Sequence, residues 1–598
     1  MKDKTLKKIS LFLAALLLAL TVPQTAFDGA FACLVSASPG GKCGDGLTWT
    51  IDGSGTLTVS GTGEMYDYED GSYAPWYSDR ANIKKVVIGS GVTSIGKGAF
   101  IECDKMISAT LGSDVTAINY CAFYYCTGLV SINIPGKVKT IGISAFEECR
   151  SLSEISIPDS VTEIGEYAFE NCGSITKYSV GVNNEKYLSD EYGVLFDKDK
   201  IGLIKYPAGN TRTSYTIPNN VRFILKTAFQ GSKNLKSVTI GSKVKLIGSS
   251  AFAGCSGLTS VKIPDSVTEL ESFAFENCSK LKSVTIPDSV TSLSYQVFNG
   301  TALYENDSNW QDDVLYVGNH LIEARYGKTG SYHIKEGTVT VAVSAFFDCE
   351  DLTGVKVPNS VKAIGELAFY GCSSLESVTL GNGITSIGRS TFRGCFKLKS
   401  IAIPASVTEI GEGAFEECVG LSTVLMPDGI KTIGSYAFAD CFGIKSIKIP
   451  ESVTAIGEYA FYGCAFASVT IPAGVKTIGA CAFGYYGEYD LNSDILIDTK
   501  IDGFRIYCYP ISAGENYAKD NGFNYTLIIP RPTVSKGDVD GNGKIDSTDF
   551  IWIKRHILKI ALLSGDSFSS ADTDGNGIVD STDYLLVKRC ILGLGRLL

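Results

Sequence analysis

The chain holds three histidines in 598 residues, His320, His333 and His556. That scarcity leaves little for chemistry that turns on an imidazole. No His-Glu-x-x-His zinc motif occurs, and neither a Gly-x-Ser-x-Gly elbow nor a phosphate loop accompanies the three. His556 falls on a predicted helix near the carboxyl terminus, while His320 and His333 flank a predicted hairpin, where a structural role is the plainer reading. Basic residues form no patch, which argues against nucleic acid as a partner. The formal net charge of −11 is ordinary for this length. After the first apolar run no long apolar segment follows, so no membrane span is expected in the body of the chain.

Residues 1–32 read as a secretory signal. Lys2, Lys4, Lys7 and Lys8 precede the apolar run from Ile9 to Val22, and Ala30-Phe31-Ala32 is the expected cleavage site. The run is too short to favour a spanning helix. Cleavage would leave Cys33 first, so a lipoprotein signal is an alternative. Against it, no leucine stands three residues before the cysteine, and the cysteine lies far from the apolar run. The mature chain is expected to be secreted.

Eighteen cysteines suggest a disulfide scaffold until their spacing is read. Twelve lie three residues after a phenylalanine, from Phe100 and Cys103 to Phe461 and Cys464, with a period of twenty-three residues. The unit is legible in Leu281-Lys-Ser-Val284-Thr-Ile286-Pro-Asp-Ser-Val290-Thr and in Val407-Thr-Glu-Ile410-Gly411-Glu-Gly-Ala414-Phe415-Glu-Glu-Cys418. Such periods signal solenoids. Leu281, Val284 and Ile286 should face inward from a short strand, with Ser283 and Thr285 outward. Pro287 ends the strand, and Ala-Phe-x-x-Cys closes the turn by burying a ring and a small thiol. No single turn has a core of its own, so stability must come from stacking. The cysteine ladder is read as buried thiols packed as small apolar groups; Ser232, Thr301 and Tyr486 at the equivalent position suit packing better than pairing. Cys33 and Cys43 stand outside the ladder, and whether they pair is open. The segment around them, with Trp49, Trp76 and Leu57-Thr-Val59, reads as a β cap. The period breaks twice, and each insert carries a predicted strand pair: residues 193–196 with 203–206, and residues 314–317 with 321–324.

The last sixty-odd residues hold one metal-loop pattern twice. Asp538, Asp540, Asn542, Asp546 and Asp549 occupy positions 1, 3, 5, 9 and 12 of a twelve-residue loop, and Lys544 supplies a main-chain carbonyl at position 7. Asp572, Asp574, Asn576, Asp580 and Asp583 repeat the set, with the Ile578 carbonyl at position 7. Gly543 and Gly577 at position 6 permit the sharp turn. An ordinary EF-hand has an entering helix and Glu at position 12; here Pro530-Arg-Pro532 precedes the first loop and Asp closes both. After each loop an apolar helical spacing appears, Phe550, Ile553 and Ile557, then Tyr584, Val587 and Ile591.

Two families resemble these patterns. The repeat unit is similar to the bacterial BspA-like leucine-rich repeat over roughly residues 85 to 490. The loop-plus-helix pair resembles a type I dockerin. The dockerin resemblance implies two calcium ions and a cohesin domain on a scaffolding protein as partner. Carried onto this sequence, the cohesin-facing residues are Ser547, Thr548, Lys554 and Arg555 in the first copy and Ser581, Thr582, Lys588 and Arg589 in the second. The two faces are nearly identical, and the dockerin resemblance then implies docking in either of two orientations related by a half turn. The spacer Ala561-Leu-Leu-Ser-Gly gives no help in choosing a cohesin.

The expected fold is a mainly β solenoid of leucine-rich repeats with two hairpin inserts and a small all-α calcium-binding dockerin. In order, residues 1–32 form the signal peptide, 33–84 the cap, 85–489 the solenoid with inserts near 177–216 and 302–337, 490–529 a closing segment, 530–536 a linker and 537–598 the dockerin. The outward strand row, from Thr110, Asn133 and Ser156 to Lys448 and Thr470, holds no aromatic residue and so makes a poor glycan platform. Tyr304, Trp310, Tyr316, Tyr326 and Tyr332 crowd the second insert, which becomes the expected place for a ligand. The reading is a secreted, non-catalytic component of a cellulosome-like complex, whose array binds a protein, cell-surface or plant-wall ligand. The alternatives are a polysaccharide-degrading hydrolase of unrecognised type and a cell-surface adhesin.

Overall fold

In most repeats, alternation of a serine or threonine with a branched apolar residue builds a short strand whose centre faces inward. Ser237–Thr239 and Ser260–Lys262 each bury the central valine and expose its neighbours. Successive strands pair in parallel at the repeat period, as in Ser214 with Ser237 and Ser260 with Ser283. On the return path a second row of two-residue strands pairs in the same way, Thr140–Ile141 with Glu163–Ile164 and Glu409–Ile410 with Thr432–Ile433. Between the rows the proline carbonyl closes a turn, Val290 N to Pro287 O at 3.0 Å.

This computed structural model describes residues 40–68, 71–490, 495–528, 535–559, 562–563 and 565–594. The expected signal peptide, Cys33 with its lipidation and pairing, most of the linker, and Ala561 and Ser564 of the spacer lie outside the described residues. The chain divides into two units, one reaching residue 199 and including 206–211, the other holding 200–205 and the residues from 212 onward.

In the first unit, Gly40–Gly44, Leu47–Ile51 and Thr56–Gly61 form an antiparallel meander, and Thr56–Gly61 then pairs in parallel with Lys85–Ile88. The cap thereby presents the solenoid with a strand of the right direction. Trp76 begins the ring stack: it lies 5.4 Å from Phe100, and its indole donates to the Ala99 carbonyl at 2.8 Å. Phe123, Phe146 and Phe169 continue the stack. In the first insert, Tyr187–Ser189 pairs antiparallel with Leu195–Asp197, a partner strand the sequence reading missed.

In the second unit, rings stack from Phe229 to Phe298 and from Phe346 to Phe483 at 4.7–5.8 Å. The second insert forms the expected hairpin, Val314–Val317 with His320–Ala324, and His320–Ala324 also joins Thr340–Val341 in parallel. At the far end Ser468–Thr470 pairs with Arg505–Cys508, which pairs with Asn524–Leu527. Helix α1 (Ala513–Asp520) covers this end. Its Tyr517 hydroxyl donates to the Phe483 carbonyl at 2.9 Å and stops the ring stack.

The cysteines do more than fill space. Ten of the twelve ladder cysteines donate Sγ–H to the carbonyl of the phenylalanine 26 residues earlier, at 3.0–3.3 Å, while Cys349, which follows the second insert, reaches the Arg325 carbonyl at 3.7 Å. The ladder thiols are free, and burial pushes the Cys103 thiol up to about 12 and those of Cys126, Cys149 and Cys372 well up. They are inert structural groups.

Candidate metal centre and docking face

In the first loop the carboxylates of Asp538, Asp540 and Asp549 offer oxygens that all lie within 4.8 Å of one another, and in the second Asp572, Asp574 and Asp583 do the same. The loops aim these groups with their own amides. Gly543 N donates to Asp538 Oδ2 at 2.9 Å, and Lys544 N to Asn542 Oδ1 at 2.9 Å. The second copy matches, with Gly577 N to Asp572 Oδ2 at 2.8 Å and Ile578 N to Asn576 Oδ1 at 2.8 Å. Gly543 and Gly577 have φ of +82° and +83°, as the turn requires, and Gly541 and Gly575 at position 4 are left-handed too. Asp538 Oδ1 is buried with no hydrogen-bond partner. A buried, unpaired carboxylate oxygen beside two further carboxylates is a costly arrangement without a cation. The donor set is all oxygen, which fits a hard divalent ion such as calcium.

The last two acidic positions carry a second duty that sequence reading did not foresee. Asp546 caps helix α2 (Ser547–Ile557), accepting from Thr548 N at 2.7 Å, and its own N–H donates to Asp549 Oδ2 at 2.9 Å. Following helix α3 (Gly565–Ala571), Asp580 and Asp583 form the same box at the start of α4 (Ser581–Ile591). The hydrogen bond from Thr548 holds the Asp546 carboxyl below its ordinary range. Ion site and helix start are therefore one structural unit in each copy. The signal was present as Asp-x-x-Asp, a capping box with Asp in the Glu position.

That coupling orients the exposed residues. Ser547 and Thr548 open α2, while Lys554 and Arg555 lie in its last turn; all four are exposed. Ser581, Thr582, Lys588 and Arg589 are exposed at the equivalent places on α4. Their exposed apolar neighbours also recur, Ile551 and Leu558 in one copy, Leu585 and Leu592 in the other. Behind them Val539, Ile553, Ala571, Val579 and Val587 make the core. His556 is structural: its Nδ1 accepts from Leu563 N at 2.8 Å.

The aromatic group of the second insert divides. Tyr304 and Trp310 meet edge to face at 5.1 Å, with the Tyr304 hydroxyl on Glu323 and the indole N–H on the Tyr304 carbonyl. Tyr316 and Tyr332 share a hydroxyl contact of 3.1 Å, and Tyr332 is buried. Arg325 lies over Trp310 and Lys335 over Tyr316. Tyr326 alone of the five is largely exposed, at 79%.

The BspA type leucine-rich repeat region matches residues 74–191, 208–325, 324–445 and 408–509. The chain belongs to the BspA type leucine-rich repeat family. A dockerin type I domain matches residues 536–592, so the repeat array carries a dockerin at its carboxyl end. Solved structures of similar fold include a leucine-rich repeat protein from Eubacterium ventriosum, 26% identical over 71% of this chain and 95% of its own, with a TM-score of 0.33. A leucine-rich repeat protein from Bacteroides ovatus is 22% identical, covering 81% of this chain and 99% of its own at a TM-score of 0.26. A leucine-rich cell surface protein from Faecalibacterium prausnitzii is 24% identical, with 71% and 96% covered and a TM-score of 0.26. No curated protein matches the sequence. Among the described residues, no helix of this BspA type chain is long and apolar enough to cross a membrane.

Proposed function

We propose that this protein is a secreted, non-catalytic component of a cellulosome-like complex, attached through its dockerin to a cohesin on a scaffolding protein in a calcium-dependent way. Two calcium ions fill the loops, held by the side chains of Asp538, Asp540, Asn542, Asp546 and Asp549 with the Lys544 carbonyl, and by Asp572, Asp574, Asn576, Asp580 and Asp583 with the Ile578 carbonyl. The observation that carries this reading is the duplicated loop with its buried, unpartnered Asp538 oxygen. Without an ion the three carboxylates of each loop repel one another; with it, the helix starts at Asp546 and Asp580 are fixed, and metal binding is coupled to folding.

The cohesin-facing surface is Ser547, Thr548, Lys554 and Arg555, or its copy Ser581, Thr582, Lys588 and Arg589. Since the copies present the same groups, either one docks. The repeat array then brings a protein, cell-surface or plant-wall ligand to the complex, with the second insert around Tyr326 as one contact region. Both matched families are non-catalytic. Replacing Ser547 and Thr548, or Ser581 and Thr582, by Ala in the full chain tests the docking face. Each single-copy change should preserve cohesin binding, and the combined change should abolish it; loss of binding from one copy alone would contradict equivalent faces.

A further inference from the structure

The first unit holds a tyrosine-walled pocket of about 570 Å³ that none of the motifs above uses. Tyr68, Tyr73, Tyr120 and Tyr124 line it, with Glu147 and Ser144 as its deeper polar groups. These residues come from the cap and from three successive turns, so the pocket exists only in the stacked fold. Tyr73 and Tyr120 are exposed by about half, at 57% and 49%, and their rings are reachable from solvent.

The charge balance of this pocket is one-sided. Glu147 makes no ion pair among the described residues, and Ser144 lies beside it in the lining. Burial, and the nearby Glu148 and Glu170, push its carboxyl up. Two cationic groups of the same unit are paired: Arg80 with Glu102 at 3.4 Å, lying over Tyr77, and Lys97 with Asp67 at 3.8 Å. Among the described lining residues there is no lysine or arginine. The Tyr68 hydroxyl at the wall is buried with no partner.

We propose that this pocket binds an organic ammonium group, its positive charge placed between the tyrosine rings and beside Glu147. Aromatic ring faces carry negative potential and attract such cations, most strongly where water is excluded. The carboxylate supplies the counter-charge that a desolvated cation needs. The volume suits a small organic molecule and far exceeds a bare metal ion. A neutral sugar fits less well, because it needs many paired donors and acceptors. Here four of the eleven lining residues are tyrosines, which present ring faces more than paired donors and acceptors.

Calorimetric titration of the full chain tests this with choline, its neutral isostere 3,3-dimethylbutan-1-ol, and xylose. Choline should bind saturably, the isostere about tenfold more weakly or worse, and xylose not at all. Glu147→Gln should weaken choline by about tenfold, and Tyr124→Ala by a similar factor, while Glu154→Gln on an exposed strand leaves it unchanged. If Tyr124→Ala fails to fold, Glu147→Gln and the isostere decide the matter. Equal binding of the isostere, preferential binding of xylose, no saturable choline binding, or indifference to Glu147→Gln would each overturn the proposal.

Discussion

Phe550 and Tyr584 stack with ring centroids 4.1 Å apart, each ring the first apolar residue after its own loop. The contact joins the two dockerin copies at equivalent positions, so each loop-helix unit is braced by the other. Phe550→Ala should destabilise the dockerin by about 2 kcal/mol, since the ring is partly buried against the core. Thermal unfolding of the full chain with saturating calcium checks this through the dockerin transition, with the repeat-array transition unmoved.

Removing one carboxylate from one loop should remove one ion. Asp538→Ala is expected to reduce calcium stoichiometry from two to one and to lower the dockerin transition, while chelation should lower it further. Isothermal titration gives the count directly.

The thiol ladder predicts unreactive cysteines. Cys395 lies fully buried, with burial pushing its thiol well up and its S–H donating to the Phe369 carbonyl at 3.3 Å. A disulfide reagent should leave it untouched in the native protein and label it in denaturant. Cys395→Ala loses the donor and leaves a small cavity, and should cost about 1–2 kcal/mol.

His320 makes the array sensitive to acid. It is fully buried on the second-insert hairpin, and burial holds its imidazole below the ordinary value, with the Pro287 carbonyl and Asp288 opposing. Above about pH 6.5 both folded and unfolded chains carry it neutral. As the pH falls below that, the unfolded chain takes the proton first, so stability is lost down to the lower folded pKa. Thermal scans from pH 7.5 to 5 should show this decline, and His320→Gln should flatten it.

The legible parts of the sequence were those whose chemistry repeats at short range. The loops at Asp538 and Asp572 read directly, because ligand positions are fixed by spacing within twelve residues. The ladder read as a period, since Phe415 and Cys418 recur in register with Phe438 and Cys441. Other features needed the fold. That Cys126 donates to Phe100 depends on how one turn lies on the last. The Asp546 and Asp549 capping box was hidden beneath their reading as ligands, one residue pair serving two purposes. The tyrosine-walled pocket draws Tyr68 and Glu147 together from turns far apart in sequence and follows no period. In the second insert, the density of rings marked the place, but their pairing decided which ring stays exposed.

Calorimetric titration of the full chain with a panel of cohesin domains, once with calcium and once with chelator, decides whether the dockerin docks. Saturable binding to at least one cohesin is expected with calcium and none with chelator. Absence of calcium-dependent binding to every cohesin, or binding that survives chelation unchanged, would contradict it.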